Sequence, residues 1–166
     1  MPGAPLRSIL VPVDGSAYAD QALTWAIDLA TTYAARLTVL SVVPLLAPAY
    51  GGIAYVPQAA VDSQSKYFHE VAERAAARAR AAGIGSVTAE VREGSVAGAI
   101  LGYLDDHPAD LVVVGSRGLG VGGRVLLGSV SDALVHHATC PVLVVRPSTD
   151  PPATLAPARA ERTHTA

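Results

Sequence analysis

Leu111-Val112-Val113-Val114-Gly115-Ser116-Arg117-Gly118 is the stretch whose reading decides the fold. A short apolar run after Asp110 that breaks off at a glycine is the signature of a strand covered on both faces. Beyond it lie Gly115, Gly118, Gly120, Gly122, Gly123 and Gly128, and a helix is predicted from near Ser129 towards His137. Glycine lacks a Cβ, so at these positions the backbone is free to take positive φ and to approach a ligand closely. The first turn of the following helix leaves about four N–H groups without internal partners and carries roughly half a positive charge. An anion is therefore favoured at Ser129 to Ser131, and a strand, loop and helix of this kind can hold a phosphate chain.

Working outward, Ser8-Ile9-Leu10-Val11-Pro12-Val13 reads as the first strand, ended by Asp14-Gly15-Ser16. Leu23, Ala26, Ala30 and Tyr33 then recur at helical spacing and predict a helix over about Ala17 to Tyr33. Leu37 to Val43 is the second buried strand. Val61-Asp62-Ser63 is expected to cap a long helix with the apolar stripe Phe68, Val71, Ala75, Ala79 and Ala82, stopped by Gly83 and Gly85. Val87 to Val91 alternates as a third strand. Gly94-Ser95 opens a third helix, Val96 to about Asp106, with Val96, Ile100 and Leu104 inward and Pro108 just past its end. Val142 to Val145 is the last strand, closed by Arg146-Pro147.

Strands alternating with helices imply right-handed crossovers and a parallel sheet. The expected class is α/β: one Rossmann-like domain over 1–147, an open five-stranded parallel sheet of order 3-2-1-4-5 with helices on both faces. That order puts the switch point between strands one and four, where ligands of open sheets bind outside the carboxyl ends. Asp14 ends the first of these strands and Gly115 the second, so the two candidate segments meet there. The Pro-, Ala- and Thr-rich segment 148–166 is expected to be a disordered tail.

At 166 residues, with 51% apolar and 16% charged residues, the chain has material for one full core. Twelve basic and fourteen acidic residues give a net charge of −2 and no electrostatic footprint for nucleic acid. Cys140 is the single cysteine, which rules out an internal disulfide. With no cleavable signal read at the N-terminus, a reducing cytoplasm is the expected location. Leu37 to Val61 carries no charge and has the length of a membrane helix, but Pro44, Pro48, Gly51, Gly52 and Pro57 interrupt it. It reads as a buried strand followed by an apolar surface loop.

The pattern from Gly115 to Ser129 is G-x2-G-x9-G-S. Together with Pro12-Val13-Asp14, with Ser129-Val130-Ser131 and with the final Cys140-Pro141-Val142-Leu143-Val144-Val145, it resembles the universal stress protein family, in its ATP-binding branch. The resemblance covers about residues 5 to 147. It implies an ATP site built from Pro12, Val13 and Asp14 after the first strand, Val42 at the end of the second, and Val114, Gly115, Arg117 and Gly118 after the fourth. Gly128, Ser129, Val130 and Ser131 would complete it around the phosphates. Main-chain groups and Val42 suit an adenine pocket, and glycine amides, Arg117 and hydroxyls suit phosphate oxygens. A magnesium ion would accompany the triphosphate, with Asp14 the one acidic residue at hand.

Each of these residues has a plainer reading. Asp-Gly-Ser is a common turn and helix start without any ligand. Ser129 with Asp132 reads as a capping box, and Arg117, like Arg124, could simply be solvated. Gly118, Gly120 and Gly123 satisfy G-x-G-x-x-G, but after the fourth strand and with no acid near Ala138 to Leu143 for a ribose. The only lysine, Lys66, lies on the second helix, so no Walker lysine is present. His136, His137 and Cys140 make no metal site, because adjacent histidines leave a helix in different directions. No catalytic triad can be assembled.

The expected function is that of an ATP-binding regulatory protein of the stress response, with no catalytic residues and little or no ATP turnover. The alternatives are a cyclic-nucleotide (cAMP) binding protein and a slow ATP-hydrolysing or phosphoryl-transfer enzyme. Against the latter, neither the serine-glycine-glycine loop of ATP pyrophosphatases nor the His-Ile-Gly-His of adenylyl transferases occurs. The last strand, through Arg146, would be an apolar edge that tends to be paired. Proteins that the chain resembles form homodimers there, so a homodimer through 142–146 is expected.

Overall fold

Strands and helices alternate without exception in the computed structural model, which describes residues 5–45, 56–118 and 127–146. In chain order they are β1 (Ser8–Pro12), α1 (Ala17–Tyr33), β2 (Arg36–Pro44), α2 (Gln58–Ala81), β3 (Val87–Gly94), α3 (Val96–Asp106), β4 (Leu111–Gly115), α4 (Ser129–His137) and β5 (Val142–Val145). The five strands form one parallel sheet in the order β3-β2-β1-β4-β5. This is the α/β class and strand order expected from the sequence, with β3 and β5 at the two edges.

The strands are apolar on both faces because helices cover both. Ile9, Val11, Leu37, Val39 and Val113 pack with Leu23, Ala26, Val71, Ala76 and Ala79 of α1 and α2. Leu10, Leu40, Val112 and Val114 pack on the opposite face with Ile100, Leu104 and Leu134 of α3 and α4. The direction of the crossovers reverses after β3, which is why the first two helices share one face and the last two the other. Alanines along the buried stripes of α1 and α2 let those helices close on the sheet.

Local chemistry sets the element ends. Ser16 caps α1 by accepting the Ala19 N–H at 3.2 Å. Ala34 ends it in the left-handed region at φ 52°, its N–H bonded to the Ala30 carbonyl. Tyr33 therefore lies past the turns that face the sheet and is exposed, not part of the buried stripe. Helix α2 starts at Gln58 behind Pro57, not at Val61-Asp62-Ser63. The Asp62 carboxylate accepts from Gln58 Nε2 at 2.9 Å and the Ser63 hydroxyl donates to the Ala59 carbonyl at 2.7 Å, so both serve the first turns from inside the helix. At the other end of α2, Ala82 is exposed. Strand β3 runs three residues past Val91, because β2 continues to offer partners up to Pro44 opposite Gly94.

At the amino edge of the sheet Asp110 stitches β4 to β1. One carboxylate oxygen accepts from Arg7 N–H at 2.9 Å, Ser8 N–H at 2.8 Å and the Ser8 hydroxyl at 2.9 Å. The Arg7 backbone bond, followed by the Ser8 hydroxyl, holds its pKa below the usual carboxylate value. Cys140, half-buried before β5, is a thiol pushed up by burial and is a poor nucleophile at neutral pH.

Among the described residues no helix is long and apolar enough to cross a membrane. The uncharged segment read as a surface loop lies mostly outside the described residues, and its last residues belong to α2. Gly120, Gly122, Gly123, Arg124 and the segment 148–166 also lie outside them.

Candidate functional site

At the carboxyl edge of the sheet β1 and β4 lie side by side, and helices leave them on opposite faces. The chain leaving β1 is fixed from several directions. Val13 N–H donates to the Leu40 carbonyl at 2.9 Å, and the fully buried Ser41 hydroxyl donates to the Val13 carbonyl at 3.0 Å. Asp14 Oδ1 accepts the Ser16 N–H at 2.9 Å, an Asx turn that sets the entry to α1. Gly15 turns the chain with φ +85°, a conformation that favours glycine.

The exit of β4 is tied to α4. Ser116 N–H donates to the Val145 carbonyl at 2.8 Å, and the Ser116 carbonyl accepts the Gly128 N–H at 2.7 Å. The buried Ser131 hydroxyl lies 2.9 Å from the Gly128 carbonyl and 3.2 Å from the Ser116 carbonyl, and its one proton is shared between them. The N-cap of α4 is Gly128, with extended backbone (φ −77°, ψ 160°) and no side-chain cap bond. Ser129 is thus the first helical residue and is exposed, not the capping-box hydroxyl its spacing to Asp132 suggested. Asp132 instead lies 3.7 Å from His136 Nε2 one turn on. The first helical bond is from Asp132 N–H to the Gly128 carbonyl at 2.9 Å, so the amides of Ser129, Val130 and Ser131 stand outside the helix's own ladder.

At Gly115 and Gly118 glycine is required for space, not for positive φ, and at Gly128 the space is tight. Among the described residues only Gly15, Gly83 and Gly94 are glycines with positive φ, so Gly115, Gly118 and Gly128 do not use the conformational freedom expected of them. A Cβ at Gly115 would lie 2.8 Å from the Tyr18 carbonyl group, where α1 crosses the end of β4. One at Gly118 would lie 2.6 Å from Asp14 Oδ2. One at Gly128 would lie 3.3 Å from the Ser116 oxygen and from Arg117 Cα.

Between these segments opens a cavity of about 340 Å³, within the roughly 300–1,000 Å³ usual for small-molecule sites. All twelve residues singled out from the sequence line it. Pro12, Val13 and Asp14 come from the β1 exit and Val42 from β2. Val114, Gly115, Arg117 and Gly118 come from β4 and its loop, and Gly128, Ser129, Val130 and Ser131 from the start of α4. Sequence reasoning missed Ala19, Leu40, Pro44, Phe68, Val96 and Ile100. Leu40 and Ile100 carried only a core signal, and nothing local places Phe68, the single phenylalanine, over a loop 50 residues away. The cavity is two-sided in chemistry: Leu40, Val42, Phe68, Val96 and Ile100 make an apolar wall, and Asp14, Arg117, Ser129 and glycine backbone a polar one. Among the described residues no three His, Cys, Asp or Glu side chains gather as a metal site requires.

Residues 5–146 match the universal stress protein family. The chain belongs to that family. Curated universal stress proteins similar to this family member include YxiE of Bacillus subtilis, 34% identical over 147 residues that cover 84% of this chain and 99% of YxiE. A second, from Thermus aquaticus, is 38% identical over 141 residues, covering 84% of this chain and 98% of that protein. A universal stress protein of Mycolicibacterium smegmatis is 35% identical over 140 residues (82% of this chain), and the match spans 47% of its length. The solved structure of UspA from Lactobacillus plantarum superposes with a TM-score of 0.68 at 31% identity, covering 87% of this chain and all of that one. This universal stress protein therefore has the family's sheet, and the cavity described above stands at its switch point.

Proposed function

We propose that this universal stress protein binds ATP in the cavity between β1 and β4 and acts as a regulatory protein of the stress response, not as an enzyme. The observation that carries the reading is the pairing, in one cavity, of an apolar wall with a polar edge of glycine backbone at the start of α4. The apolar wall suits a purine, and Val42 with the main chain around Val13 suits its edge. Backbone amides, Arg117 and the Ser129 hydroxyl suit phosphate oxygens, which the N-terminus of α4 favours electrostatically. The absence of side chains at Gly118 and Gly128 keeps that edge open to the phosphates. Asp14 is the residue that a magnesium ion on the triphosphate would meet. No general base is assigned, and turnover is read as slow or nil.

A cyclic nucleotide is the second reading. One universal stress protein of the same fold is in complex with cAMP (24% identical, TM-score 0.61) and one from Arabidopsis thaliana has AMP bound (21%, 0.62). At those identities the likeness is one of fold, and the preference for a triphosphate rests on the glycines of the β4–α4 connection. The same reading includes a homodimer paired through β5 and a cytoplasmic location.

The deciding experiment is denaturation of the purified protein with mass spectrometry of whatever is released, followed by calorimetric titration with ATP, AMP and cAMP. ATP or ADP released, with ATP bound most tightly, is the expected result. Release of cAMP, or tighter binding of cAMP, moves the assignment to the second reading. A protein that releases nothing and binds none of the three removes the nucleotide assignment.

A further inference from the structure

Helix α2 reaches the site by two adjacent residues. Phe68, 7% exposed, lines the cavity, and the Tyr67 ring stands edge-on to it with centroids 5.1 Å apart. The Tyr67 hydroxyl donates to the Asp14 carbonyl at 3.3 Å across 53 residues of sequence. It also occupies the space in front of Gly15, where a Cβ would meet the hydroxyl oxygen. Gly15 is thus demanded twice, by its φ of +85° and by the tyrosine that stands against it.

The turn that Tyr67 touches is the one that aims Asp14. With the Asp14 carbonyl held towards α2 and Oδ1 held by the Ser16 N–H, the remaining oxygen, Oδ2, lies over Gly118 on the far side of the site. Asp14 thereby joins the β1 exit to the β4 loop, and Tyr67 is the side chain of α2 that bonds to that turn. We propose that Tyr67 is a positioning residue: its hydroxyl fixes the Asp14–Gly15 turn so that the Asp14 carboxylate faces Gly118 and the cavity, and so ties nucleotide affinity to the seating of α2. The inference rests on the nucleotide reading for its effect on affinity, but the positioning itself is a property of the empty protein.

Tyr67→Phe removes the hydroxyl and keeps the ring on Phe68, and Tyr67 is 39% exposed, so the fold is expected to be retained. Calorimetry with ATP is expected to show affinity about three- to tenfold weaker, the range of one modest hydrogen bond. In an Asp14→Asn background, where the carboxylate is already gone, the same change is expected to cost nothing further, because both act through one group. Without nucleotide, NMR of Y67F is expected to shift the amides of Gly15 and of Gly118, the second of which a merely local loss at α2 would leave alone. Unchanged ATP affinity, an equal loss in both backgrounds, or a silent Gly118 amide overturns the proposal. If the unmutated protein binds no ATP, the nucleotide reading fails and the amide shifts alone decide the positioning.

Discussion

A side-chain carbon at Gly118 would lie 2.6 Å from Oδ2 of Asp14, closer than real Cβ atoms approach a neighbour. The two residues end different connections, one after β1 and one after β4, and their closeness makes the switch point a single site. Because Gly118 does not use positive φ, an added side chain is resisted by space alone, and what yields is the end of a short carboxylate.

Gly118→Val is therefore expected to displace Asp14 and weaken ATP binding by at least about tenfold, near 1.4 kcal/mol, with little loss of fold stability. Calorimetry beside thermal unfolding separates the two. An affinity equal to that of the unmutated protein would mean that the β4 loop has another role.

Gly115→Ala is expected to do the opposite. Its Cβ would meet the backbone of Tyr18 at 2.8 Å, where nothing flexible can yield, so α1 must lift from the end of β4. A destabilisation of about 1–3 kcal/mol follows from such overpacking. The urea midpoint reads it directly, and an unshifted midpoint would show that α1 docks more loosely than the geometry implies.

Asp110 lies at the other end of the sheet and serves as the control. Its folded pKa is lowered, so its contribution to stability is present above the unfolded carboxylate pKa and is lost as pH falls through the folded value. Asp110→Asn is expected to cost about 1 kcal/mol at neutral pH, a figure kept small because the residue is exposed. The difference from the unmutated protein should vanish once pH falls below the lowered folded pKa of Asp110, where both carry no charge at 110. A difference that persists there would assign the effect to packing. ATP affinity is expected to be unchanged, since the stitch touches only Arg7 and Ser8.

Ala34 holds a left-handed conformation at φ 52° in an exposed C-cap, a place where glycine is the usual residue. Ala34→Gly is expected to stabilise the protein by about 0.5–1 kcal/mol, raising the melting temperature by roughly 1–4 °C for a domain of this size. A lower melting temperature would show that the entropy of the unfolded glycine outweighs the relieved strain.

The strands were legible because a parallel strand covered on both faces cannot hide its composition: Ile9-Leu10-Val11 and Val112-Val113-Val114 have no polar face to mask them. The switch point followed from the alternation of elements, and with it the meeting of Asp14 and Gly115. The reason for the glycines was not legible, since composition shows that a Cβ is missing but not whether φ or a neighbour forbids it. Tyr67 and Phe68 were out of reach for a related reason. On α2 Phe68 reads only as part of the apolar stripe and Tyr67 carries no signal of its own, and only the tertiary seat of the helix brings them to Asp14 and the cavity. The start of α2 was missed because Asp62 and Ser63 look like caps, and no local signal says that their side chains bond within the helix.

Ser129 and Ser131 lie two residues apart at the start of α4 and both line the cavity, yet the structure gives them different work. The Ser131 hydroxyl is buried and committed to the Ser116 and Gly128 carbonyls, while that of Ser129 is on the exposed first residue of the helix. Ser131→Ala is expected to cost about 1 kcal/mol of stability, the net value of one buried hydrogen bond, and to affect ATP only through the seating of Gly128. Ser129→Ala is expected to leave the melting temperature unmoved and to weaken ATP binding by about five- to tenfold, the loss of one donor to a charged phosphate oxygen. Because ADP and AMP carry fewer phosphates, the penalty should shrink along ATP, ADP and AMP if Ser129 meets the outer phosphates. An equal penalty for all three nucleotides would place it near the α-phosphate or the ribose, and no penalty would return it to the plain role of a solvated helix-start serine.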